Sequence, residues 1–278
     1  MLGILKSPGR LLATLRARLR ANRLMRAYSE PVASCPLCGS TAFVPHSTHR
    51  VNEFTISLAA CTECGLVMQS PRLSAQGIDE LYRTDYRTVM AEDHRENLFK
   101  RGQRRGAYIK EFLTGCGVAV HGKRIAEVGC GLGGILQSFT EEGCDTVGCD
   151  VEESGPEFGR SRGLDTRPGQ IDVLANVKQT RDIVILSHVL EHVTDPQAFL
   201  GQAADLLAPG GVLYIEVPGI QNPRVAERSF GAQIGHLLYF DKRTVTAAIE
   251  KAGLIPGPSN DIVQILAARD RPTWTTAP

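Results

Sequence analysis

The stretch RIAEVGCGLGGILQSF, residues 124–139, decides the fold. It opens on a short apolar run that reads as a strand. It passes through a cluster of glycines and then spaces Ile135, Leu136 and Phe139 as a helix spaces its buried face. Gly129, Gly131 and Gly134 fit G-x-G-x-x-G, where glycine lets the backbone turn tightly and approach a ligand. Asp150 ends the next strand, DTVGCD, where an acidic side chain can bind the vicinal hydroxyls of a ribose. Strand, glycine loop and helix in this order build an open α/β sheet. Its ligand lies at the carboxyl ends of the strands.

Glu127 narrows the choice of ligand. It stands two residues before Gly129, at the strand's end, and should point toward the loop. A carboxylate there repels a pyrophosphate and attracts a cation. S-adenosylmethionine carries an ammonium and a sulfonium, lacks phosphate, and shares a ribose with the dinucleotides. The run Glu127-Gly129-Gly131-Gly133 therefore favours S-adenosylmethionine as cofactor.

Farther on, RDIVILS (181–187) carries a continuous apolar run, as a strand buried on both faces does. HVLEH follows at 188–192. His188, Glu191 and His192 match H-x-x-E-H, a zinc-peptidase motif whose histidines share one face of a long helix. Here the string lies between a strand end and Asp195-Pro196, which opens a new helix. The peptidase context is missing. Three roles stay open: hydrogen bonds that hold the loop, a base that takes a proton from a substrate, and a metal site. A histidine at 188 suits magnesium poorly, because a hard cation prefers oxygen ligands.

Near the front, CPLCGS and CTECGL place Cys35, Cys38, Cys61 and Cys64 in two C-x-x-C pairs. Gly39 and Gly65 follow them and can supply the tight turn of a metal-binding knuckle. Four thiolates close a tetrahedral zinc site with no open position, so a structural zinc ribbon is expected. FTISLAAC, ending at the second pair, reads as a strand. His46 and His49 lie between the pairs, but four thiolates already suffice. Cys116, Cys130, Cys144 and Cys149 lack ligand spacing and read as small buried hydrophobes.

Taken together, AEVGCGLGG (126–134), Asp150, RDIVILSHVLEHVTDP (181–196) and LLAPGGVLYIEVP (206–218) resemble the class I S-adenosylmethionine-dependent methyltransferases over roughly residues 120–268. With the ribbon and CGLVMQSPR (64–72), the whole chain is similar to a bacterial subgroup with an N-terminal zinc-binding domain. Sugar C-methyltransferases belong to that subgroup. The resemblance implies a Rossmann-like sheet of seven strands. It implies that Gly129, Gly131 and Gly133 line the methionine side and that Asp150 binds the ribose. Gln170, Ile171 and Asp172 would surround adenine, and Ser187 and His188 would close the pocket below the sulfonium. The histidine of H-x-x-Y-F, His236 here with Tyr239 and Phe240, would lie near the acceptor. His236, His192 and Tyr239 are thus the catalytic candidates, and histidine suits proton removal near neutral pH.

These readings divide the chain into a basic tail or amphipathic helix (1–30), a zinc ribbon (31–70), a helical linker or lid (71–118), the cofactor-binding domain (119–270) and a short tail (271–278). In the linker, Ser74 can cap a helix carrying Ile78 and Leu81, and Tyr82 and Tyr86 would share its face. Residues 92–114 read as one or two helices over the next domain. Asp241 can cap, and Gly253 end, a helix carrying Val245, Ala248 and Ile249. Because the reaction needs water excluded, residues 71–112 and 218–240 are the lid candidates.

Composition sets the limits. Of the 278 residues 42% are hydrophobic and 22% charged, an ordinary globular balance. The net charge of +1 argues against nucleic acid as partner and against the alternative of an RNA methyltransferase. A small-molecule acceptor, such as a nucleotide-linked sugar or a polysaccharide or lipid precursor, is the expectation. A non-enzymatic cofactor-binding scaffold is the remaining alternative. No apolar run is long enough to span a bilayer, and a signal peptide is not expected. Cysteines without disulfide spacing point to a reducing cytoplasm. Lys6, Arg10, Arg16, Arg18, Arg20, Arg23 and Arg26 precede the first acidic residue, Glu30, and Leu11, Leu12, Leu15 and Leu19 share a helical face. Residues 1–28 could therefore touch the inner membrane face peripherally.

Overall fold

The structure is a computed structural model. It describes residues 19, 22–51, 54–85, 92–220, 234–261, 263–270 and 274–275. Most of the basic leader, Tyr86 and the middle of the 218–240 segment lie outside the described residues.

Seven strands form the main sheet: β6 (Arg124–Val128), β7 (Asp145–Asp150), β8 (Asp165–Pro168), β9 (Arg181–Ser187), β10 (Leu207–Glu216), β12 (Ile255–Ser259) and β13 (Gln264–Ala268). Their order is β12-β13-β10-β9-β6-β7-β8. β13 runs antiparallel to both neighbours, and the remaining pairings are parallel. The order reverses beside β6, so the crevice at the carboxyl ends of β6, β7 and β9 is where a ligand binds.

Alternation along β9 shows how both faces are buried. Ile183 and Ile185 join one apolar cluster with Ile109, Leu113, Ile135 and Phe139. Val184 and Leu186 join the other, with Leu200, Val245 and Ile249. Helix α3 (Glu92–Gly115) and helix α4 (Gly134–Thr140) thus cover one face, and α6 (Pro196–Ala204) and α7 (Lys242–Lys251) the other. Residues 92–115 make one continuous helix, and a Cβ on Gly134 would stand 2.3 Å from the Phe99 carbonyl oxygen, so glycine permits this close crossing of α3 over α4. Asp195 caps α6 by accepting from the Ala198 amide, and Asp241 caps α7 in a reciprocal box with Thr244. Cys116, Cys130, Cys144 and Cys149 are all buried.

The ribbon is tied to this body. Strands β2 (Phe43–Val51), β3 (Phe54–Cys61) and β4 (Val67–Gln69) are consecutive antiparallel neighbours. Their sheet gains a fourth strand, β11 (Leu238–Tyr239), from the segment after His236. Cys35, Leu37, Cys61 and Met68 join the same core as α6 and α7. Before and after the ribbon, residues 22–28 are helical (α1), and β1 (Ser29–Glu30) pairs with β5 (Arg72–Leu73). Helix α2 (Ala75–Asp85) leads toward the crevice, and α5 (Ser154–Ser161) follows β7. No helix among the described residues is long and apolar enough to cross a membrane.

Candidate active site

The glycine loop leaves β6 with Gly129, Gly131 and Gly133 at φ 77°, 51° and 82°, which L side chains rarely adopt. The amides of Gly129 and Cys130 both donate to the Cys149 carbonyl, which pins the loop to the end of β7. A Cβ on Gly131 would meet nothing within 4 Å, so the backbone there faces open space. On Gly129 it would stand 2.4 Å from Val189 Cγ2, because the loop abuts the HVLEH segment.

Glu127 is 2% exposed, and its Oε2 has no hydrogen-bond partner among the described residues. Burial, then the nearby Asp150, pushes its pKa up to about 8 against the lowering pull of the Leu136 amide and Arg105. A buried carboxyl beside an open glycine loop, with one oxygen unsatisfied, fits the ammonium of S-adenosylmethionine. Asp150 accepts from the Gly131 amide (2.8 Å) and the Glu152 amide (3.0 Å), so its carboxylate is fixed in the crevice wall. Each oxygen keeps a second lone pair, but it needs a donor there, and ribose hydroxyls are donors. Burial raises the Asp150 pKa, and these two amides oppose that rise. Gln170 borders a cavity of about 310 Å³ with Val151, Gly169, Asp172, Val173 and Asp79. Ile171 instead packs against the main core. Asp79 lines this cavity from α2, a placement that sequence spacing could not show.

At the end of β9 the chain turns sharply. His188 has φ 57° and donates its amide to the Glu216 carbonyl, and Leu190–His192 form a single 3-10 turn. This is no peptidase helix. Ser187 Oγ donates to Glu216 Oε2 at 2.9 Å, and Arg105 Nη1 stands 3.0 Å from Glu216 Oε1. Glu216, the last residue of β10, therefore organises this edge of the site. Sequence motifs do not single it out, although an acidic residue closing an otherwise apolar strand is a signal for it.

Glu191 is 2% exposed and faces three histidines. His188 Nδ1 lies 3.3 Å, and His192 Nε2 3.7 Å, from its Oε1. Burial disfavours its charge, but His188, His192 and His236 outweigh burial and lower its pKa. The His192 and His236 rings meet edge-on with centroids 4.7 Å apart. His192 Nδ1 is 2.7 Å from the Gly235 carbonyl, which can only accept, so Nδ1 carries the hydrogen. Tyr82 Oη, 2.9 Å from the same nitrogen, takes a share of it. Nε2 is left with the lone pair. His236 is buried, and burial followed by His192 pushes its pKa down to about 4. It stays neutral and is a weak base. Tyr239 is 5% exposed among Ile56, Leu58 and Val67, with its ring 6.3 Å from that of His236. Burial raises its hydroxyl pKa.

The four ribbon cysteines converge away from this crevice, with their sulfurs within 4.8 Å of one another. Cys35 Sγ lies 3.5 Å from Cys64 Sγ, and Cys38 Sγ lies 3.5 Å from Cys61 Sγ. Gly39 and Gly65 take φ 79° and 76°, and their amides donate back to the Cys35 and Cys61 carbonyls. The donor set and its compactness fit a tetrahedral zinc.

The family described as Methyltransferase domain matches residues 83–255, well over half of the chain. The chain belongs to this methyltransferase family. A ubiquinone biosynthesis O-methyltransferase of Coxiella burnetii is 26% identical over 173 residues, covering 60% of this methyltransferase and 65% of the relative. The namesake in Photorhabdus laumondii is 33% identical over 102 residues, covering 34% of this chain and 42% of its own. This chain thus spans less than two thirds of the length of these relatives. Among solved structures, an O-methyltransferase family protein from Burkholderia thailandensis aligns at TM-score 0.49 and 15% identity, covering 67% of this chain and 62% of that one.

Proposed function

We propose that this methyltransferase methylates a small-molecule acceptor held between the carboxyl edge of β9, helix α2 and the ribbon-side strand β11. The cluster of His188, Glu191, His192 and His236 at that edge carries the reading. A nucleotide-linked sugar or a polysaccharide or lipid precursor is the acceptor class that suits the chain's resemblances. The near-neutral net charge supports this over RNA.

When bound, S-adenosylmethionine supplies an electrophilic methyl group. The chain then holds the cofactor and takes up the acceptor's proton. Glu127 and the glycine loop hold the amino-acid end, and Asp150 holds the ribose. Gln170 and the adjoining cavity receive the adenine end. On the acceptor side His192 takes the proton released by the nucleophile. Its Nδ1–H is committed to Gly235, so Nε2 is free to accept, and the new imidazolium faces Glu191. His236, held neutral, packs against His192 and shields it from water.

His192→Ala should lower turnover by about 10²-fold or more while leaving cofactor affinity unchanged. Single-turnover transfer of labelled methyl measures it, and a near-wild-type rate would remove His192 from this role. We assign the four cysteines to one structural zinc, expected at about one ion per chain by metal analysis.

A further inference from the structure

HVLEH matches a peptidase motif whose two histidines meet on one helix, but the 3-10 turn at Leu190–His192 breaks that helix. The fold gives the segment a different partner. The Leu237 amide donates to the Glu191 carbonyl at 2.8 Å, and the Gly235 carbonyl accepts from His192 Nδ1 at 2.7 Å. His236 lies between these two anchors. Glu191, His192 and His236 each offer one ligand atom, and the three atoms lie within 4.8 Å of one another. Among the described residues the only other group of this kind is the four ribbon cysteines.

The Glu191 carboxylate lacks a partner. It is buried, and neither oxygen has a hydrogen bond among the described residues. Nearly all buried polar groups in native proteins are paired, and exceptions call for an explanation. Neutral His192 does not satisfy it. Its hydrogen sits on Nδ1, toward Gly235, so the Nε2 lone pair and Glu191 Oε1 stand 3.7 Å apart as two acceptors. Two acceptors need a proton or a cation between them. A proton draws such a pair to about 2.7–2.9 Å. An ion with bonds of about 2.0–2.2 Å and tetrahedral angles holds its ligands roughly 3.4 Å apart. The spacing of 3.7 Å is too wide for the first and close to the second.

We propose that Glu191, His192 and His236 form a second zinc site, separate from the ribbon. Two imidazoles and one carboxylate are a ligand set of open zinc sites, whose fourth position takes water or a small ligand. Imidazole suits zinc, whereas magnesium takes oxygen ligands. His188 Nδ1, 3.3 Å from Glu191 Oε1, would steady the carboxylate from outside the ligand set. His192 keeps 18% of its side chain exposed, which gives the ion a way in. Three such ligands hold an ion less tightly than four thiolates. The purified chain therefore keeps the ribbon ion and fills this site only from added metal. The effect on activity rests on the reading of His192 as the base. An ion on Nε2 takes the lone pair that would accept the proton, so the filled site is inhibited.

Cobalt(II) in place of zinc separates the two sites in the full chain. Thiolate ligands give an intense charge-transfer band, whereas imidazole and carboxylate give only ligand-field absorption. The chain should take up one cobalt in each site. The first should bring the thiolate band, and the second should add ligand-field absorption alone. His236→Leu and Glu191→Gln should each keep the first ion, which shows a folded ribbon, and bind the second at least about 10-fold more weakly. Uptake of the ribbon ion only would overturn the proposal. So would a second ion that adds to the thiolate band, or one bound undiminished in both variants. Zinc filling about 90% of the second sites should slow single-turnover methyl transfer by about 10-fold, and chelating that ion should restore the rate. A second ion bound as expected but without inhibition would uphold the site and remove His192 as the base.

Discussion

Cofactor binding should strengthen as the pH rises from about 6 to about 8, and Glu127→Gln should flatten that dependence. Burial, and secondarily Asp150, push the Glu127 pKa up to about 8. Below that pH the group is protonated and has no charge to offer an ammonium. S-adenosylhomocysteine must therefore expel the proton on binding at neutral pH, and must expel progressively less above about pH 8. Calorimetry in two buffers of different ionisation heat counts that proton directly. The glutamine variant should release none and bind about 10–100-fold more weakly at pH 8, as expected for a lost hydrogen bond to a charged group. The same shift affects stability with a definite sign. An unfolded chain loses this proton near the ordinary value of 4.5, whereas the folded chain keeps it to about 8. The cofactor-free protein should lose stability as the pH rises between those values, and Glu127→Gln should remove that part of the loss. Affinity independent of pH in the wild type would contradict this account of the residue.

Cys61→Ser should abolish structural zinc binding and reduce methyl transfer by about 10²-fold or more, although Cys61 belongs to the ribbon and not to the glycine loop or the HVLEH turn. The route is physical. Cys61 ends β3, β3 pairs with β4, and β4 pairs with β11, two residues beyond His236. The Gln197 side chain on α6 also donates to the Pro36 and Leu37 carbonyls inside the first knuckle. Burial opposes the Cys61 thiolate, but the Cys64 and Glu63 amides and the Cys38 thiol hold its pKa down to about 7. Burial pushes Cys35 and Cys64 upward. A metal that converts all four to thiolates lends its binding energy to the fold, commonly about 10 kcal/mol or more for structural zinc. Metal analysis, thermal unfolding and turnover should fall together in the serine variant. Full activity in a zinc-free, folded protein would show that the ribbon and the site are independent.

Local sequence carried much of this organisation because the decisive features are local. The glycine loop needs positive φ at set spacings, the knuckles need glycine after each cysteine pair, and β9 needs an unbroken apolar run. Each of these is written within about ten residues. The chain order of the strands and the position of Asp150 follow from the same units. What stayed hidden was long-range. Nothing in HLLYF announces that Leu238–Tyr239 completes the ribbon sheet, because a two-residue strand has no periodicity of its own. Tyr82 could reach the active site or simply pack, as its sequence position allows, and the structure sets it on His192 across 110 residues; Arg105 reaches Glu216 from a helix that reads only as charged and amphipathic. Histidine chemistry was equally illegible. His192 and His236 look equivalent in sequence, yet burial makes one a weak base and a backbone carbonyl sets the tautomer of the other.

The most direct measurement of the central claim is competitive binding at the glycine loop. S-adenosylhomocysteine should bind the purified chain one to one with a dissociation constant of about 1–100 μM, a free energy of roughly 5–8 kcal/mol. NAD should fail to displace it even at about 1 mM, because its pyrophosphate would meet Glu127. Displacement by NAD at micromolar concentration, or binding of NAD in its place, would contradict the account.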